Sequence, residues 1–462
     1  MVGSGPNGLA AAIVLAQVGM EVQVFEAESQ AGGGARTMEL TLPGFRHDFG
    51  SAVHPMAVAS PFFSSLPLRQ YGLEWIQPSA PLAHPLDDGT AVILERDFAK
   101  LDLGSDAKAW RRLMEPFAQN WDRLAPEVLS PIPSFPRTPW LLARLGMISL
   151  SSANALTNRL FTAVRAKALF AGCAAHSFLD FDEPLSAAFG VLLGVTAHAV
   201  GWPIPRGGAQ SITDALIGYL ESLGGSVVLS SRIDNITDLP DCDLTMWDVG
   251  PRQLQAAAGE RLSPSFKKEL ARYRYGLGAF KVDYALSEPI PWKARECLRA
   301  GTVHLGGTLQ EIAASEYAAR HGRTAERPFV LLSQPTLFDP TRAPHGKHIA
   351  WAYCHVPNGS DFDMLDRLES QIERFAPGFR DCVLARRVFN PAALEQMDAN
   401  LIGGDIAGGA ATLKQFVLRP TWRTYATSAP DIYLCSASTP PGAGVHGMCG
   451  YNAARLALSR LR

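Results

Sequence analysis

The first forty residues alternate between short apolar runs and glycine-rich turns. Residues 9–16 form a continuous apolar run of helical length, and Gly19 ends it. Residues 21–26 then alternate between polar and apolar side chains, as a strand does, and the run ends at the acidic Glu26. A turn, a helix and a strand in this order predict the start of a βαβ unit.

Further along, the pattern predicts a helical middle and regions that mix strands with helices. Residues from about 60 to 200 follow helical spacing and are rich in Pro, Trp and Phe. A helix at 211–223 ends at two glycines, and a helical stretch from Asp361 stops at Pro377-Gly378. Apolar runs predict strands at 226–233, 244–248, 279–286, 302–305, 329–332 and 431–435.

Composition limits the class of protein. A chain of 462 residues is too long for one core and predicts two or three units. The net charge of −2 gives no electrostatic reason to expect a nucleic acid partner. Seven cysteines without a C-x-x-C pair indicate reduced thiols in a cytoplasmic protein. The apolar stretch 184–202 contains His198 and several glycines, so we expect a buried or cavity-lining helix; a peripheral membrane contact is the alternative.

A glycine fingerprint stands directly before the first apolar helix. Residues 3–8 read Gly-Ser-Gly-Pro-Asn-Gly, which matches G-x-G-x-x-G. Such glycines allow a tight turn and a close approach of the backbone to a pyrophosphate, which the helix N-terminus attracts. Glu26 follows about 20 residues later, where a carboxylate accepts hydrogen bonds from a ribose. The sequence therefore predicts a dinucleotide site.

Only Met1 and Val2 precede this fingerprint, where a central strand normally lies. We expect that strand to be missing through a late start site or a truncation. Restoring a few apolar residues before Val2 is then expected to raise cofactor content.

Two further glycine clusters accompany the fingerprint. Residues 32–37 read Gly-Gly-Gly-Ala-Arg-Thr, which suits a second approach of the backbone to phosphate, with Arg36 as a charge partner. A flexible turn explains the same residues equally well. Near the C-terminus, a strand at 431–435, a small-residue loop and an apolar helix from Tyr451 place a second helix start near a phosphate. A nicotinamide dehydrogenase would not need this last cluster, which favours a flavin.

Together these segments resemble a flavoprotein superfamily. The sequence is similar to the phytoene dehydrogenase-like branch of FAD-dependent oxidoreductases, within the superfamily of amine oxidases and phytoene desaturases. This branch includes proteins like pyridine nucleotide-disulfide oxidoreductase domain-containing protein 2. The resemblance spans nearly the whole chain and rests on residues 2–8, Glu26, 32–37, 44–48, 205–208, Asn400, 403–405 and 441–454.

The resemblance implies an α/β fold with a Rossmann-type, glutathione reductase-like FAD-binding domain and an inserted mixed α+β substrate domain. The discontinuous FAD-binding domain is expected at 1–75, 201–250 and 400–462, and the substrate domain at 76–200 and 251–399. The residues expected at FAD are Gly3, Gly5 and Gly8 at the pyrophosphate, Glu26 at the ribose, Gly33, Gly34 and Arg36 near the phosphates and ribityl chain, Ile233 at the adenine, and Gly444, Val445 and Met448 at the flavin.

The chain departs from the family pattern at two further places. The family often has G-G-R after the ribose acid, whereas here Gly34 stands at the Arg position and Arg36 comes two residues later. Many members carry Gly-Asp or Gly-Glu after the C-terminal strand, where this chain has Ser436-Ala437. Contacts to the ribityl chain and phosphates are therefore expected to rely more on backbone N–H groups.

No catalytic residue can be assigned from the sequence. A desaturase needs little acid–base machinery, because the cofactor carries the difficult step. His54 and His446 lie beside cofactor motifs and are candidates near the flavin, although each could serve only a local hydrogen bond. Cys449 is expected to be a buried thiol rather than a flavin tether. His345 and His348 fall in a predicted loop without a full ligand set, so no metal is expected.

The favoured hypothesis is an FAD-dependent desaturase or dehydrogenase that acts on a small, apolar, isoprenoid- or carotenoid-like substrate. An enzyme of the flavin amine oxidase type is the first alternative. A non-catalytic flavin-fold interaction protein and a plain nicotinamide dehydrogenase are the others. The sequence leaves the substrate, the electron acceptor and the oligomeric state open.

Overall fold

The computed structural model describes residues 1–131 and 136–461. Its strands are β1 (Gln23–Phe25), β2 (Thr37–Glu39), β3 (Arg46–Asp48), β4 (Trp75–Ile76), β5 (Ala80–Pro85), β6 (Ala91–Leu94), β7 (Ile204–Pro205), β8 (Ser226–Val228), β9 (Thr245–Trp247), β10 (Gly278–Leu286), β11 (Ala300–Leu305), β12 (Val330–Ser333), β13 (His348–Val356), β14 (Val383–Phe389) and β15 (Ile432–Leu434).

Its α-helices are α1 (Pro6–Ala16), α2 (Pro55–Val58), α3 (Pro61–Ser65), α4 (Ala107–Ala118), α5 (Trp121–Val128), α6 (Pro139–Ser149), α7 (Ala153–Leu160), α8 (Val164–Ala175), α9 (Ser186–Ala199), α10 (Gln210–Ser222), α11 (Pro251–Ala258), α12 (Pro264–Leu270), α13 (Leu309–Arg320), α14 (Leu365–Phe375), α15 (Phe379–Cys382), α16 (Pro391–Met397), α17 (Leu413–Val417) and α18 (Met448–Leu461).

A parallel sheet forms the first unit, and residues 1–3 lie at its centre. β1 pairs with β8, and β15 pairs with β9. Val2 forms parallel bridges to both Phe25 and Trp247, which joins the two pairs into one sheet. The Val2 N–H donates to the Met246 carbonyl at 2.9 Å, and the Phe25 N–H donates to the Met1 carbonyl at 2.9 Å. Residues 1–3 therefore occupy the strand position that was expected to be missing.

The first helix is buried because it is apolar on every side. α1 begins with Pro6, whose ring suits the first helical turn, and ten of its eleven residues are buried. It packs against α10 and α18. A Cβ at Gly450 in α18 would lie 1.8 Å from the Asn7 carbonyl oxygen, so only glycine permits this helix crossing.

A mixed seven-stranded sheet forms the second unit, in the order β14-β10-β13-β12-β11-β5-β6. The prediction that residues 60–200 are mostly helical was wrong at β5 and β6. β5 pairs with β6, which follows it in the sequence, and with β11, which lies more than 200 residues away. His348 was predicted to lie in a loop but begins β13. The two sheets confirm the predicted α/β class, with a Rossmann-type unit and a second mixed α+β unit.

Helices α4 to α9 pack into an apolar cluster with one side of the second unit. α9 covers most of the apolar stretch at 184–202, and most of its residues are buried, as expected. Among the described residues, no helix combines the length and apolar character needed to cross a bilayer.

Candidate functional site

A cavity of about 590 Å³ joins the two units. The carboxyl ends of β1 and β9 open into its first part, which we call the dinucleotide end. The second part, the inner end, is enclosed by the large sheet together with α8 and α9. Of the predicted site residues, the cavity wall includes Gly3, Gly5, Glu26, Gly33, Gly34, Arg36, His54, Ile233, Gly444 and Val445. Gly8, His446 and Met448 lie outside this wall.

The fingerprint glycines are required by close contacts. Gly3 has φ +92°, a conformation that L-residues with side chains rarely adopt. A Cβ at Gly5 would lie 2.5 Å from the Asp248 Oδ2, and a Cβ at Gly8 would lie 2.2 Å from the Gly3 carbonyl oxygen. Gly5 is the N-cap of α1 and offers no side-chain cap; the Gly8 N–H is taken by the Asp248 carboxylate, so the part of the helix start that is open to a ligand lies before Gly8.

Glu26 links the first two glycine turns. It is buried at the end of β1, and its Oε2 accepts hydrogen bonds from the Ser4 N–H at 2.9 Å and the Ser4 hydroxyl. Its Oε1 accepts the Glu28 N–H at 3.0 Å. The Ser4 Oγ in turn accepts the Gly32 N–H at 3.1 Å. The acid that was predicted to hold a ribose therefore also fixes the position of both turns.

Arg36 lies between the second turn and α16. Its Nε donates to the Gly33 carbonyl at 2.8 Å, and its Nη2 donates to the Met397 carbonyl at 2.7 Å. The guanidinium lies over the Phe49 ring, 5.0 Å from the centroid. These contacts fix a buried cation at the dinucleotide end.

The C-terminal loop contributes backbone rather than side chains. Gly444 has φ +133° and lines the cavity together with Val445. The Nδ1 of His446 accepts the Met448 N–H at 3.0 Å, so this ring serves the start of α18. Burial lowers the pKa of His446 to about 4. The Cys449 thiol is buried and donates to backbone carbonyls, and burial raises its pKa to about 12.

Asp248 is a site residue that the sequence reasoning did not identify. It follows β9 as Glu26 follows β1, and its Oδ2 accepts the Gly8 N–H at 2.8 Å. Burial raises the pKa of Asp248 to about 7, and the neighbouring Asp398 and Glu26 add to this shift. The sequence feature that could have identified Asp248 is its position as an acid at the end of a second predicted strand, at 244–248.

The inner end is mainly apolar and aromatic. Its wall includes Leu193, Trp202, Leu331, Trp351 and Tyr353. The rings of Trp351 and Tyr353 are stacked, with centroids 5.7 Å apart and an interplanar angle of 17°. The carboxylates in the cavity wall belong to the dinucleotide end, so no carboxylate is among the described residues that line the inner end.

Lys281 is the basic side chain of this inner wall, and it was also missed from sequence. It lies on β10, and its Nζ donates to the Asp48 carbonyl at 3.2 Å and to the Asp283 carboxylate. Burial raises the pKa of Asp283 to about 6 even though Lys281 opposes the shift. Arg342 pairs with Asp48 at 2.8 Å, which completes a buried network of charges.

His54 lies near this network, and the charges of Asp48 and Arg342 act on its ring in opposite directions. It lines the cavity, and its Nε2 is buried without a hydrogen-bond partner among the described residues. Burial lowers the pKa of His54 to about 4, which favours a neutral ring.

Comparisons with known proteins agree with this architecture. Residues 1–65 match the family model for an NAD(P)-binding Rossmann-like domain. The chain is 24% identical to pyridine nucleotide-disulfide oxidoreductase domain-containing protein 2 of Rattus norvegicus, over 100% of this chain and 93% of the relative. It is 22% identical to the lycopene-forming phytoene desaturase of Pantoea ananas, over 97% and 96%. The fold is similar to cyclohexylamine oxidase from Brevibacterium oxydans, with a TM-score of 0.61, 14% identity and coverage of 99% and 97%.

These similarities define the class of protein as an oxidoreductase with a Rossmann-type dinucleotide domain. More closely, the predicted resemblance to phytoene dehydrogenase-like flavoproteins is confirmed over nearly the whole chain.

Proposed function

We propose that the protein is an FAD-dependent desaturase or dehydrogenase that takes a hydride from an apolar, isoprenoid- or carotenoid-like substrate. The observation that carries this proposal is the continuous cavity, which runs from three glycine turns to an apolar, aromatic wall. Pockets of this kind bind ligands through apolar contacts and a few polar groups that fix orientation.

The dinucleotide end fits FAD in several respects. The open start of α1 supplies N–H groups for a pyrophosphate, and Arg36 adds a fixed cation. A Cβ at Gly34 would meet nothing within 4 Å, which leaves room beside the turn. The buried Asn7 Oδ1 lacks a partner among the described residues, as expected of an atom that awaits a ligand donor. Glu26, Ile233 and Gly444 would hold the ribose, the adenine and the flavin.

When bound, FAD would supply the hydride acceptor. The protein would contribute orientation and the exclusion of water, since Trp351, Tyr353 and Leu331 present apolar surface to the substrate. Lys281 would present the ammonium donor at this wall, held by the Asp48 carbonyl and Asp283.

An amine oxidase activity is the main alternative, because the fold resembles that of an amine oxidase. A protonated amine would meet Lys281 at the inner end and no carboxylate among the described wall residues. Burying such a cation without a partner is costly, so the wall favours the apolar substrate. A non-catalytic interaction protein would not need a cavity continuous with the glycine turns.

A flavin spectrum of the purified protein, followed by anaerobic bleaching with a substrate panel, tests the proposal. We expect a yellow protein that is bleached by polyenes. Colourless protein that takes up no FAD on reconstitution would refute it. Peroxide release with amines and no reaction with polyenes would select the amine oxidase. Partner binding that survives bulky replacements at Gly5 and Gly444, without redox activity, would support the interaction protein.

We also propose that α6 provides a peripheral membrane contact. Trp140, Ala143, Met147 and Leu150 follow helical spacing along one exposed face, and Trp140 is 88% exposed. Residues 128–179 contain five Lys or Arg and no Asp or Glu. An exposed apolar face within a basic segment suits an anionic lipid surface.

Sedimentation with phosphatidylcholine vesicles, with and without phosphatidylglycerol, tests this contact. We expect binding that needs phosphatidylglycerol and is lost in Trp140→Glu. Trp422→Glu, at another exposed tryptophan, serves as the matched control and should bind normally. Equal binding by both variants would exclude α6 as the contact.

A further inference from the structure

A pair of histidines, one partly buried and one fully buried, lies at the inner end of the cavity, outside every predicted site. His176 is the C-cap of α8 and lines the cavity. His304 lies on β11 and is fully buried. Their Nε2 atoms are 3.1 Å apart, which is hydrogen-bonding distance. The two rings therefore join a helix and a strand of the second unit at the cavity wall.

The surroundings of both rings favour the neutral form. Burial lowers the pKa of His176 to about 3, and burial together with the neighbouring His176 and His84 lowers the pKa of His304 far below its usual value. A hydrogen bond between two neutral imidazoles requires a proton on one Nε2 and a lone pair on the other. The direction of this bond decides which nitrogen faces the cavity as a donor.

Gly172 favours one direction of this bond. It lies one turn before His176 in α8, and a Cβ there would be 2.6 Å from the His304 Nδ1. The hydrogen that glycine carries in place of Cβ therefore points at this nitrogen. A lone pair accepts such a C–H contact, whereas an N–H would collide with it and remain a buried, unpaired donor. This contact favours the tautomer in which His304 carries its proton on Nε2 and donates it to His176.

His176 then carries its own proton on Nδ1. This nitrogen has no hydrogen-bond partner among the described residues, although the side chain lines the cavity. Thr302 precedes His304 by two residues, on the same face of β11, and adds a hydroxyl to the same wall. Leu193 and the edge-on Trp202 lie beside it in the cavity wall, and His355 is close enough to contribute to the lowered pKa of His176.

We propose that His176 recognises an uncharged oxygen acceptor, a carbonyl or hydroxyl, on an otherwise apolar substrate. His304 acts as a positioning residue that fixes the ring and its proton. This inference rests on the proposed function, because it names the substrate class for the same cavity. A hydrocarbon would leave the His176 donor unpaired in the complex, and such mismatches cost about 1–3 kcal/mol, or about 5- to 150-fold in affinity.

The test uses the FAD-loaded protein and four matched C15 probes: farnesene, farnesal, farnesol and farnesoic acid. Binding is measured by quenching of tryptophan fluorescence. We expect farnesal or farnesol to bind at least about tenfold more tightly than farnesene. In His176→Leu this preference should fall to within about twofold, while farnesene still binds, which shows that the cavity is intact. His176→Asn, which keeps an N–H donor, should restore part of the preference.

His321→Leu, which replaces an exposed histidine, is the matched control. It should leave the preference for farnesal or farnesol over farnesene unchanged. Equal binding of farnesene, farnesal and farnesol by the unaltered protein would overturn the inference alone, as would a preference that persists in His176→Leu. Tightest binding of farnesoic acid would replace the uncharged acceptor with a carboxylate and overturn the inference as stated. If none of the four probes binds, the proposed apolar substrate fails as well.

Discussion

Replacing Asp248 with asparagine should make the protein less sensitive to alkaline pH. Asn keeps an oxygen that can accept the Gly8 N–H, which now donates at 2.8 Å, but it removes the buried carboxylate. Burial raises the pKa of Asp248 from 3.8 to about 7. The folded protein therefore binds this proton more tightly than the unfolded chain does.

The sign and size of the effect follow from this difference. A raised carboxyl pKa makes stability fall as pH rises from the unfolded pKa to the folded one. The complete loss is about 4 kcal/mol, and about 3 kcal/mol of it falls between pH 5 and pH 8. Asp248→Asn lacks this loss. The difference in unfolding free energy between the variant and the unaltered protein should therefore shift by about 3 kcal/mol in favour of the variant from pH 5 to pH 8.

Urea unfolding of the cofactor-free protein, followed by circular dichroism at pH 5 and pH 8, measures this gain. Asp361→Asn removes an exposed carboxylate and is the control, for which we expect no such change. If Asp248→Asn and the unaltered protein lose the same stability between the two pH values, Asp248 does not bear a raised pKa and the reasoning fails.

Three other variants test the site. Gly8→Ala should abolish FAD retention, because its Cβ would strike the Gly3 carbonyl oxygen. Gly146→Ala, which adds a Cβ in open space on another helix, is the control and should bind FAD normally. The flavin absorbance of the two purified variants measures the difference. Lys281→Met should cost about 3–5 kcal/mol in urea unfolding by leaving Asp283 buried and unpaired, and adding Asp283→Asn should recover most of it. His446→Ala should cost about 1 kcal/mol through the lost helix cap, with unchanged turnover; a large fall in turnover would contradict this assignment.

The local parts of the site could be predicted from sequence. A glycine turn and the helix after it are specified by a few neighbouring residues, so the turns at Gly3 and Gly33 were found. β10 was also found, because it is long and apolar and lies at 278–286, close to the predicted 279–286. β5 was missed because its sequence, Ala-Pro-Leu-Ala-His-Pro, contains two prolines, and its pairing depends on β11 more than 200 residues away.

The side chains that give the cavity its chemistry were harder to predict. Asp248 contacts Gly8 across 240 residues, and His176 contacts His304 across 128. No local pattern links such partners, since the tertiary fold alone brings them together. The opposite error was made at His446. It was a candidate because it lies beside a cofactor motif, but its ring accepts a hydrogen bond from the Met448 N–H, only two residues away.

The central position of α1 also affects how the protein is made. This apolar helix is synthesised before two of its neighbours, β9 and α18, which lie more than 200 residues later in the sequence. The contact between Gly450 and Asn7 cannot form until the last helix is complete. The apolar surface of α1 therefore lacks these partners until α18 has been synthesised, so this part of the core is completed late in folding.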